Sequence, residues 1–315
     1  MFYISYILHI TVTLCVSCEV TIMLEKFKAN LMFQVLLKRK DINKAYKMVG
    51  PEDSWYDTIT KVHQSLAEIR QLPHEDWELE SFDGLKLKGV FYPGTSNKTM
   101  IWVHGYTSHA ERESAFPGLF YHSLGFNVLI PYLRSHGPSE GKYISFGALE
   151  YRDMMDWVEK VNARIPDGQI ILHGLSMGGG IILELATREM TNVKCLISDA
   201  PTIGIPQAFR GIVSGTFKKD ADKIYEHLMN RFRREFSVDV NEFDWAEKIS
   251  TSRYPLLLSA GSNENMEESL NQLKAAAAQE TSVLILPGCN HGNGMYKQTE
   301  LYQNTIKEFI AKHMA

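Results

Sequence analysis

The sequence has few of the features that mark disulfide-rich, nucleic-acid-binding or repetitive proteins. Four cysteines in 315 residues are too few for a disulfide framework in a chain of this length. A net charge of −4 gives no electrostatic basis for binding nucleic acid. No internal repeat of solenoid length is present, and a hydrophobic fraction of 44% is ordinary for a globular protein. The length suits one large α/β domain with appendages.

Cysteine usage also argues against a metal site. Cys15 and Cys18 have the spacing of a zinc-ligand pair, but they lie in an apolar run without a second pair of ligands. We therefore expect no metal. Reduced thiols are typical of cytosolic proteins, so we predict a cytoplasmic location.

The longest apolar run lies at the N-terminus, where Glu19 ends it. The run lacks the basic start of a signal peptide and is short for a membrane span, although extension to Leu24 would lengthen it. In one interpretation residues 1–23 anchor the chain, and the lysines that follow keep the rest of it in the cytoplasm. We favour the alternative, in which residues 1–23 are a spurious extension and the chain begins at Met23.

Short apolar runs alternate with helical patterns from residue 76 onwards. Two alternating runs joined at Asp83-Gly84 predict a hairpin. Six continuous runs suit strands buried on both faces of a parallel sheet. These runs are Met100–Val103, Val128–Ile130, Ile170–Leu172, Cys195–Ile197, Leu256–Leu258 and Val283–Leu286. The pattern predicts an α/β fold with a mostly parallel central sheet flanked by helices.

Two segments fall outside this alternation. Residues 24–75 predict a helical N-terminal extension to a core of residues 76–315. Residues 203–247 carry no strand pattern and are too long for a simple connection, so we predict a helical cap that shapes the substrate pocket. Within this cap we expect four apolar residues to face the sheet and three arginines to face water. They are Ile224, Leu228, Phe232 and Phe236, and Arg231, Arg233 and Arg234.

The segment Gly174-Leu-Ser176-Met-Gly178 follows an apolar strand and opens a helix. A serine in this context lies on a turn so tight that side chains two residues away on either side would collide. The dipole of the helix favours negative charge near the serine oxygen, so Ser176 is a candidate nucleophile. A nucleophilic serine needs a base, and His291 is the best placed, between the last strand and the last helix.

Across residues 76–315 the sequence resembles the α/β-hydrolase superfamily, particularly its esterase-like serine hydrolases with a helical cap. The motifs occur in the family's order: WVHGYTS (102–108), YLRSHGPSEG (132–141), the Ser176 elbow, YPLLLSAGSNE (254–264) and the histidine loop. The resemblance implies that Ser176 is the nucleophile and His291 the general base. It also implies an oxyanion hole formed by the backbone N–H groups of Tyr106 and Met177.

The resemblance gives structural roles to the remaining motif residues. His104 would shape the turn of the oxyanion hole, and Arg134 and His136 would brace the edge of the site. Tyr132 stands where the family usually has an aspartate, so we expect one bracing ion pair to be missing.

The acid departs from the family pattern as well. The family usually has Gly-x-x-Asp followed by Val-Pro, whereas this chain has Gly261-Ser-Asn-Glu264 without Val-Pro. Glu264 occupies the acid position in the order serine, acid, histidine. Asp199, at the end of the preceding strand, is the alternative acid.

Together these features predict a serine hydrolase that cleaves a carboxylic ester or thioester through an acyl-enzyme intermediate. We expect a small-molecule ester or acyl substrate and no organic cofactor. A peptidase or amidase with the same triad is one alternative. The other is a hydrolase fold kept as a non-catalytic binding module.

Overall fold

The computed structural model describes residues 2–41 and 55–314, with side chains from Val20 onwards in the first segment. Eight strands form one sheet in the order β1-β2-β4-β3-β5-β6-β7-β8. Strand β2 pairs antiparallel with β1 and β4, and the remaining neighbours pair in parallel. The strands are β1 Glu75–Glu80, β2 Lys86–Tyr92, β3 Lys98–Val103, β4 Asn127–Pro131, β5 Gln169–Leu175, β6 Val193–Asp199, β7 Leu256–Gly261 and β8 Thr281–Leu286. The predicted hairpin and mostly parallel α/β sheet are confirmed.

Helices cover both faces of this sheet, in the part of the chain that the structure describes. They are α1 Phe2–Leu37, α2 Tyr56–Ile69, α3 Ala110–Ser123, α4 Glu150–Arg164, α5 Met177–Leu185, α6 Ile205–Thr216, α7 Ala221–Phe236, α8 Trp245–Lys248, α9 Glu267–Ala276, α10 Gly294–Lys297 and α11 Thr299–His313. Alternate residues of β3 point to opposite faces. Ile101 therefore packs in a core with Trp157 of α4, and Trp102 packs in a second core with Tyr121 of α3.

The described N-terminal residues form two helices that pack on the rest of the fold. Helix α1 packs along α7, and α2 packs along α3. Residues 42–54, in the expected extension of residues 24–75, lie outside the described residues, as do the side chains of Cys15 and Cys18. Among the residues whose side chains the structure describes, 20–41 and 55–314, no helix is long and apolar enough to cross a membrane.

The orientation predicted for the long cap helix is wrong. Ile224, Leu228 and Phe232 are buried, but their helix packs on α1 and α6 rather than directly on the sheet. Periodicity identified the apolar face of α7 without identifying the element that covers it. Phe236, half-buried, lies with its ring centroid 6.2 Å from that of Phe33 in α1.

The three arginines of α7 do not share one environment. Arg233 and Arg234 are exposed, as expected. Arg231 is half-buried, and its guanidinium lies 4.9 Å from the ring centroid of Phe33. The favourable interaction of a guanidinium with an aromatic face explains why this arginine turns toward α1.

The packing of α1 on α7 predicts a large loss of stability in the Phe33→Ala variant. Phe33 is fully buried and its ring meets that of Tyr143 edge-on at 5.1 Å. Truncating a buried phenylalanine to alanine leaves a cavity, so we expect a loss of about 3 kcal/mol in the free energy of unfolding. Leu31→Ala, on the exposed side of the same helix, should cost below about 0.5 kcal/mol. Urea unfolding measures both, and equal effects would contradict this packing.

Candidate active site

Ser176 lies on a sharp turn between β5 and α5, in the middle of the sheet. Its backbone has φ 61° and ψ −115°, a conformation that costs energy for any residue with a side chain. The surrounding backbone holds this conformation. The N–H of Ser176 donates to the carbonyl of Asp199 (2.9 Å), and its carbonyl accepts the N–H groups of Gly180 (3.0 Å) and Thr202 (3.1 Å).

The two glycines that flank the serine are required by close backbone approach. A Cβ added at Gly174 would overlap the carbonyl oxygen of Gly178, and one added at Gly178 would overlap the carbonyl oxygen of Val103. The first turn of α5 therefore lies directly against the end of β3. This is the collision that the sequence motif predicts at a tight strand-to-helix turn.

The structure brings the three predicted triad side chains together. The Oγ of Ser176 lies 2.9 Å from Nε2 of His291, and Nδ1 of His291 lies 2.6 Å from Oε2 of Glu264. His291 lies in the loop after β8, and Glu264 ends a 3-10 turn after β7. The other carboxylate oxygen of Glu264 accepts the N–H of Gly261 at 2.7 Å, which fixes the acid in place.

The contact with Glu264 sets the protonation state of His291. A carboxylate next to Nδ1 keeps the proton on that nitrogen, so Nε2 is free to accept the hydroxyl proton of Ser176. The hydrogen bond to Glu264 also raises the pKa of His291 above its ordinary value of 6.5. The arrangement can therefore take a proton from the serine and hold the resulting imidazolium.

Asp199, the alternative acid, has other partners. Its carboxylate lies 2.9 Å from Nε2 of the buried His173 and accepts the hydroxyl groups of Tyr302 and Ser259. Among the described hydrogen bonds none joins it to His291. Asp199 thus belongs to a buried hydrogen-bond network beneath the turn of Ser176. The backbone carbonyl of Asp199 also accepts the N–H of Ser176.

The two residues predicted to form the oxyanion hole lie next to the serine, one in sequence and one in space. Met177 is the first residue of α5, and Tyr106 follows Gly105 in the loop after β3. A Cβ added at Gly105 would stand 3.5 Å from the Cβ of Ser176, so this loop passes directly beside the nucleophile. Both N–H groups predicted for the oxyanion hole are therefore carried by backbone adjoining Ser176.

His104 and His136 are buried and hydrogen-bonded to backbone. Nε2 of His104 accepts the N–H of Leu133 (3.1 Å) and its Nδ1 lies 2.9 Å from the carbonyl of Gly105. Nε2 of His136 accepts the N–H of Thr107 at 3.1 Å. Burial lowers the pKa of both rings, well below the ordinary value for His104. Two neutral imidazoles thus tie the loop after β3 to the loop after β4.

The expectation of a missing ion pair around Tyr132 needs correction. Arg134 is buried and has two carboxylate partners, Asp153 (2.7 Å) and Asp83 (2.9 Å). The Tyr132 hydroxyl donates instead to Glu111 at 2.7 Å. Asp153 and Asp83 come from α4 and the β1–β2 turn, so carboxylates distant in sequence supply the charge that the local motif lacks.

Glu113 of α3 was not identified from the sequence. Both of its carboxylate oxygens accept the N–H of Gly105, at 3.0 and 3.1 Å, and one also accepts the indole N–H of Trp102 at 3.0 Å. Burial raises its pKa to about 7. It lies in the charged run Ala110–Ser114, which is typical of a solvated helix start, so only the fold could reveal that it holds the loop after β3.

Ser176 and His291 open into a cavity of about 710 Å³. The cavity is also lined by α2, including Ile59, Val62 and His63, and by Lys40 and Asp41 at the end of the first described segment. Among the described lining residues none belongs to residues 203–247, so the expectation that the cap shapes this pocket is not met. Helix α2 and residues 40–41 take that place.

Comparisons with known proteins agree with this architecture. A stretch of 189 residues is 30% identical to the multifunctional-autoprocessing repeats-in-toxin of Vibrio vulnificus, covering 58% of this chain and 3% of the toxin. The uncharacterized protein YqkD of Bacillus subtilis is 34% identical over 121 residues, which are 37% of this chain and 38% of YqkD. This chain therefore spans only a small part of the toxin and well under half of YqkD.

Solved structures match over a larger share. The esterase Pf2001 of Pyrococcus furiosus superposes with a TM-score of 0.61 at 25% identity, covering 79% of this chain and 96% of that one. Est1E of Butyrivibrio proteoclasticus, solved with ferulic acid, has a TM-score of 0.56 at 18% identity and covers 76% of this chain and 99% of its own. The sequence model of the alpha/beta hydrolase fold matches residues 98–283, more than half of the chain. The chain belongs to the α/β-hydrolase family.

Proposed function

We propose that this protein is a serine hydrolase that cleaves a carboxylic ester or thioester through an acyl-enzyme intermediate. The observation that carries the proposal is the continuous chain of contacts from Ser176 through His291 to Glu264, with distances of 2.9 and 2.6 Å. A serine with an oriented base is the arrangement that nucleophilic acyl transfer needs.

In the acylation step the Oγ of Ser176 attacks the substrate carbonyl carbon. Nε2 of His291 takes the hydroxyl proton as the new carbon–oxygen bond forms, and Glu264 stabilises the imidazolium through Nδ1–H. Collapse of the tetrahedral intermediate breaks the bond to the leaving group, which takes the proton from Nε2. The products of this half-reaction are the alcohol or thiol and an ester on Ser176.

Water then completes the cycle by the same route. His291 removes a proton from water, the hydroxyl attacks the acyl carbon, and the proton returns to Oγ as the carboxylic acid leaves. In both steps negative charge develops on the substrate oxygen. We assign its stabilisation to the N–H groups of Tyr106 and Met177, helped by the N-terminal dipole of α5.

Two observations support an ester or thioester as the substrate. The cavity beside Ser176 combines apolar side chains of α2 with polar groups near the nucleophile, which suits a small molecule with an acyl chain. Among the structural relatives, Pf2001 is named an esterase.

The Ser176→Ala variant should lose ester hydrolysis and labelling by a fluorophosphonate probe. The substitution removes the attacking oxygen and leaves the backbone hydrogen bonds of the turn in place, so the thermal unfolding midpoint should change little. Hydrolysis of a short p-nitrophenyl ester and gel fluorescence measure the two losses. Near-wild-type turnover in the variant would end the serine-hydrolase proposal, and an unlabelled wild-type protein would favour a non-catalytic binding module.

The Glu264→Gln variant should reduce kcat by about three to four orders of magnitude, because the amide cannot hold the reactive tautomer and charge of His291. Asp199→Asn is the matched control, since it removes one carboxylate charge from the neighbouring network. Its kcat per folded molecule should fall much less. Steady-state kinetics with active-site titration separates the two, and the reverse order of effects would transfer the acid role to Asp199.

The pH profile should report the contact between His291 and Glu264. His291 must be neutral to accept a proton, and the hydrogen bond to Glu264 raises its pKa above 6.5. Activity should therefore fall as the pH drops through a value above 6.5. Without the carboxylate the imidazolium is less stable, so the acid limb of Glu264→Gln should move to lower pH.

The rate of fluorophosphonate labelling against pH gives this limb even for weakly active variants. Asp199→Asn should leave its position unchanged. An upward movement in Glu264→Gln would contradict the assigned contact.

A further inference from the structure

Helix α1 has two apolar faces, and the described residues cover only one of them. Ala29, Met32 and Phe33 are buried in the core that α1 shares with α7. On the opposite side, six large apolar side chains are between 50% and 66% exposed. They form what we term the outer face of α1: Val20, Met23, Leu24, Phe27, Leu31 and Val35.

The outer face is a continuous stripe. Residues 20, 24, 27, 31 and 35 recur at helical spacing, so their side chains line one side of the helix over four turns. Elsewhere in the described parts of the chain, exposed large apolar residues such as Phe82, Leu124 and Leu301 are scattered singly. Scattered apolar residues are normal on a protein surface, whereas a contiguous stripe marks an interaction surface.

A basic cluster adjoins the C-terminal end of the stripe. Lys38, Arg39 and Lys142 are exposed there, and Lys40 is half-exposed. The recorded hydrogen bonds of Arg39 and Lys40 go to backbone carbonyls, which leave their positive charge in place. Asp41 and Glu140 are the carboxylates near these cations in sequence, so positive charges remain in excess. This excess of cations attracts a surface that carries negative charge.

We propose that the outer face of α1 lies on a lipid bilayer containing anionic phospholipids. An apolar stripe next to a basic cluster is the combination by which interfacial helices bind such membranes, through buried apolar area and attraction to headgroups. The sequence favours lipid over a protein partner, because residues 2–18 of the same helix contain no Lys, Arg, Asp or Glu. The apolar character of this helix therefore continues in sequence before the outer face, over a length that suits a lipid surface better than a bounded protein-docking patch.

The same helix leads to the active-site cavity. Lys40 and Asp41, just beyond α1, line the cavity, and the hydroxyl of Tyr106 donates to the carbonyl of Leu36. A bilayer under α1 would therefore lie close to the path by which an amphiphilic ester reaches Ser176. This second part rests on the proposed function, and it names esters embedded in the lipid surface as the substrate class.

Vesicle flotation with the full chain tests the docking without catalysis. The probe vesicles are phosphatidylcholine alone and phosphatidylcholine mixed with phosphatidylglycerol. The double variant Phe27→Glu/Leu31→Glu places two charges on the outer face and should reduce binding to the mixed vesicles by at least about tenfold. Leu301→Glu is the matched control, because it adds a charge at an exposed leucine of α11, and its binding should equal that of the wild type.

The basic cluster is tested separately with Lys38→Gln/Lys142→Gln. This variant should lose most of the preference for mixed over neutral vesicles, and added salt should have the same effect on the wild type. All variants should hydrolyse a water-soluble short ester at the wild-type rate, which also verifies that they fold.

Three results would overturn the docking proposal. They are equal vesicle binding by Phe27→Glu/Leu31→Glu and wild type, no vesicle binding by wild type, and a wild-type dimer that this variant converts to a monomer. The last result, read by light scattering, would assign the outer face to a second copy of the chain.

Hydrolysis of a long-chain ester embedded in the mixed vesicles tests the substrate class. Phe27→Glu/Leu31→Glu should hydrolyse it at least about tenfold more slowly than wild type while retaining activity on the soluble ester. Equal rates on the embedded ester would overturn the lipid-surface substrate. If the wild type hydrolysed neither the embedded nor the soluble ester, the proposed function would be refuted and the vesicle-binding result would stand.

Discussion

The close contact between the first turn of α5 and the end of β3 is the constraint on which the site depends. Gly178 lies so near the carbonyl of Val103 that any side chain there would overlap it. This proximity forces the chain to reverse within one residue, which puts Ser176 at φ 61°. It also aligns the loop after β3 with the N-terminus of α5. One steric requirement thus exposes the hydroxyl and brings two backbone donors beside it.

Two carboxylate–histidine pairs, Asp199–His173 and Glu264–His291, lie toward the carboxyl ends of the parallel strands. Their different surroundings give them different roles. Asp199 and His173 are buried and joined to tyrosine and serine hydroxyls, so neither ring nitrogen of His173 faces a substrate. The His291 side chain is about half exposed and its Nδ1 contacts Glu264, which leaves Nε2 facing Ser176. A network whose donors and acceptors are all occupied gives rigidity, whereas an accessible pair can exchange protons.

The sequence was sufficient for the features that depend on local pattern. Strands buried on both faces appear as uninterrupted apolar runs, and Ser176 is marked by glycines that backbone overlap requires. Features that depend on contacts between residues distant in sequence could not be predicted from it. Glu113 resembles a solvated helix residue until the fold places it under Gly105. The partners of Arg134 come from α4 and the β1–β2 turn, and the periodicity of α7 could not indicate that α1 covers it.

The two faces of helix α1 lie in different environments. Its buried face packs on α7 in place of the sheet, and its C-terminal end is hydrogen-bonded to the loop after β3 through Leu36 and Tyr106. The helix that carries the outer face is therefore hydrogen-bonded to the loop that passes beside Ser176. Loops that carry catalytic groups are usually among the less stable parts of a fold. Here the loop after β3 is hydrogen-bonded to Glu113 and to α1, so the placement of the loop beside Ser176 depends on a helix that the hydrolase motifs do not include.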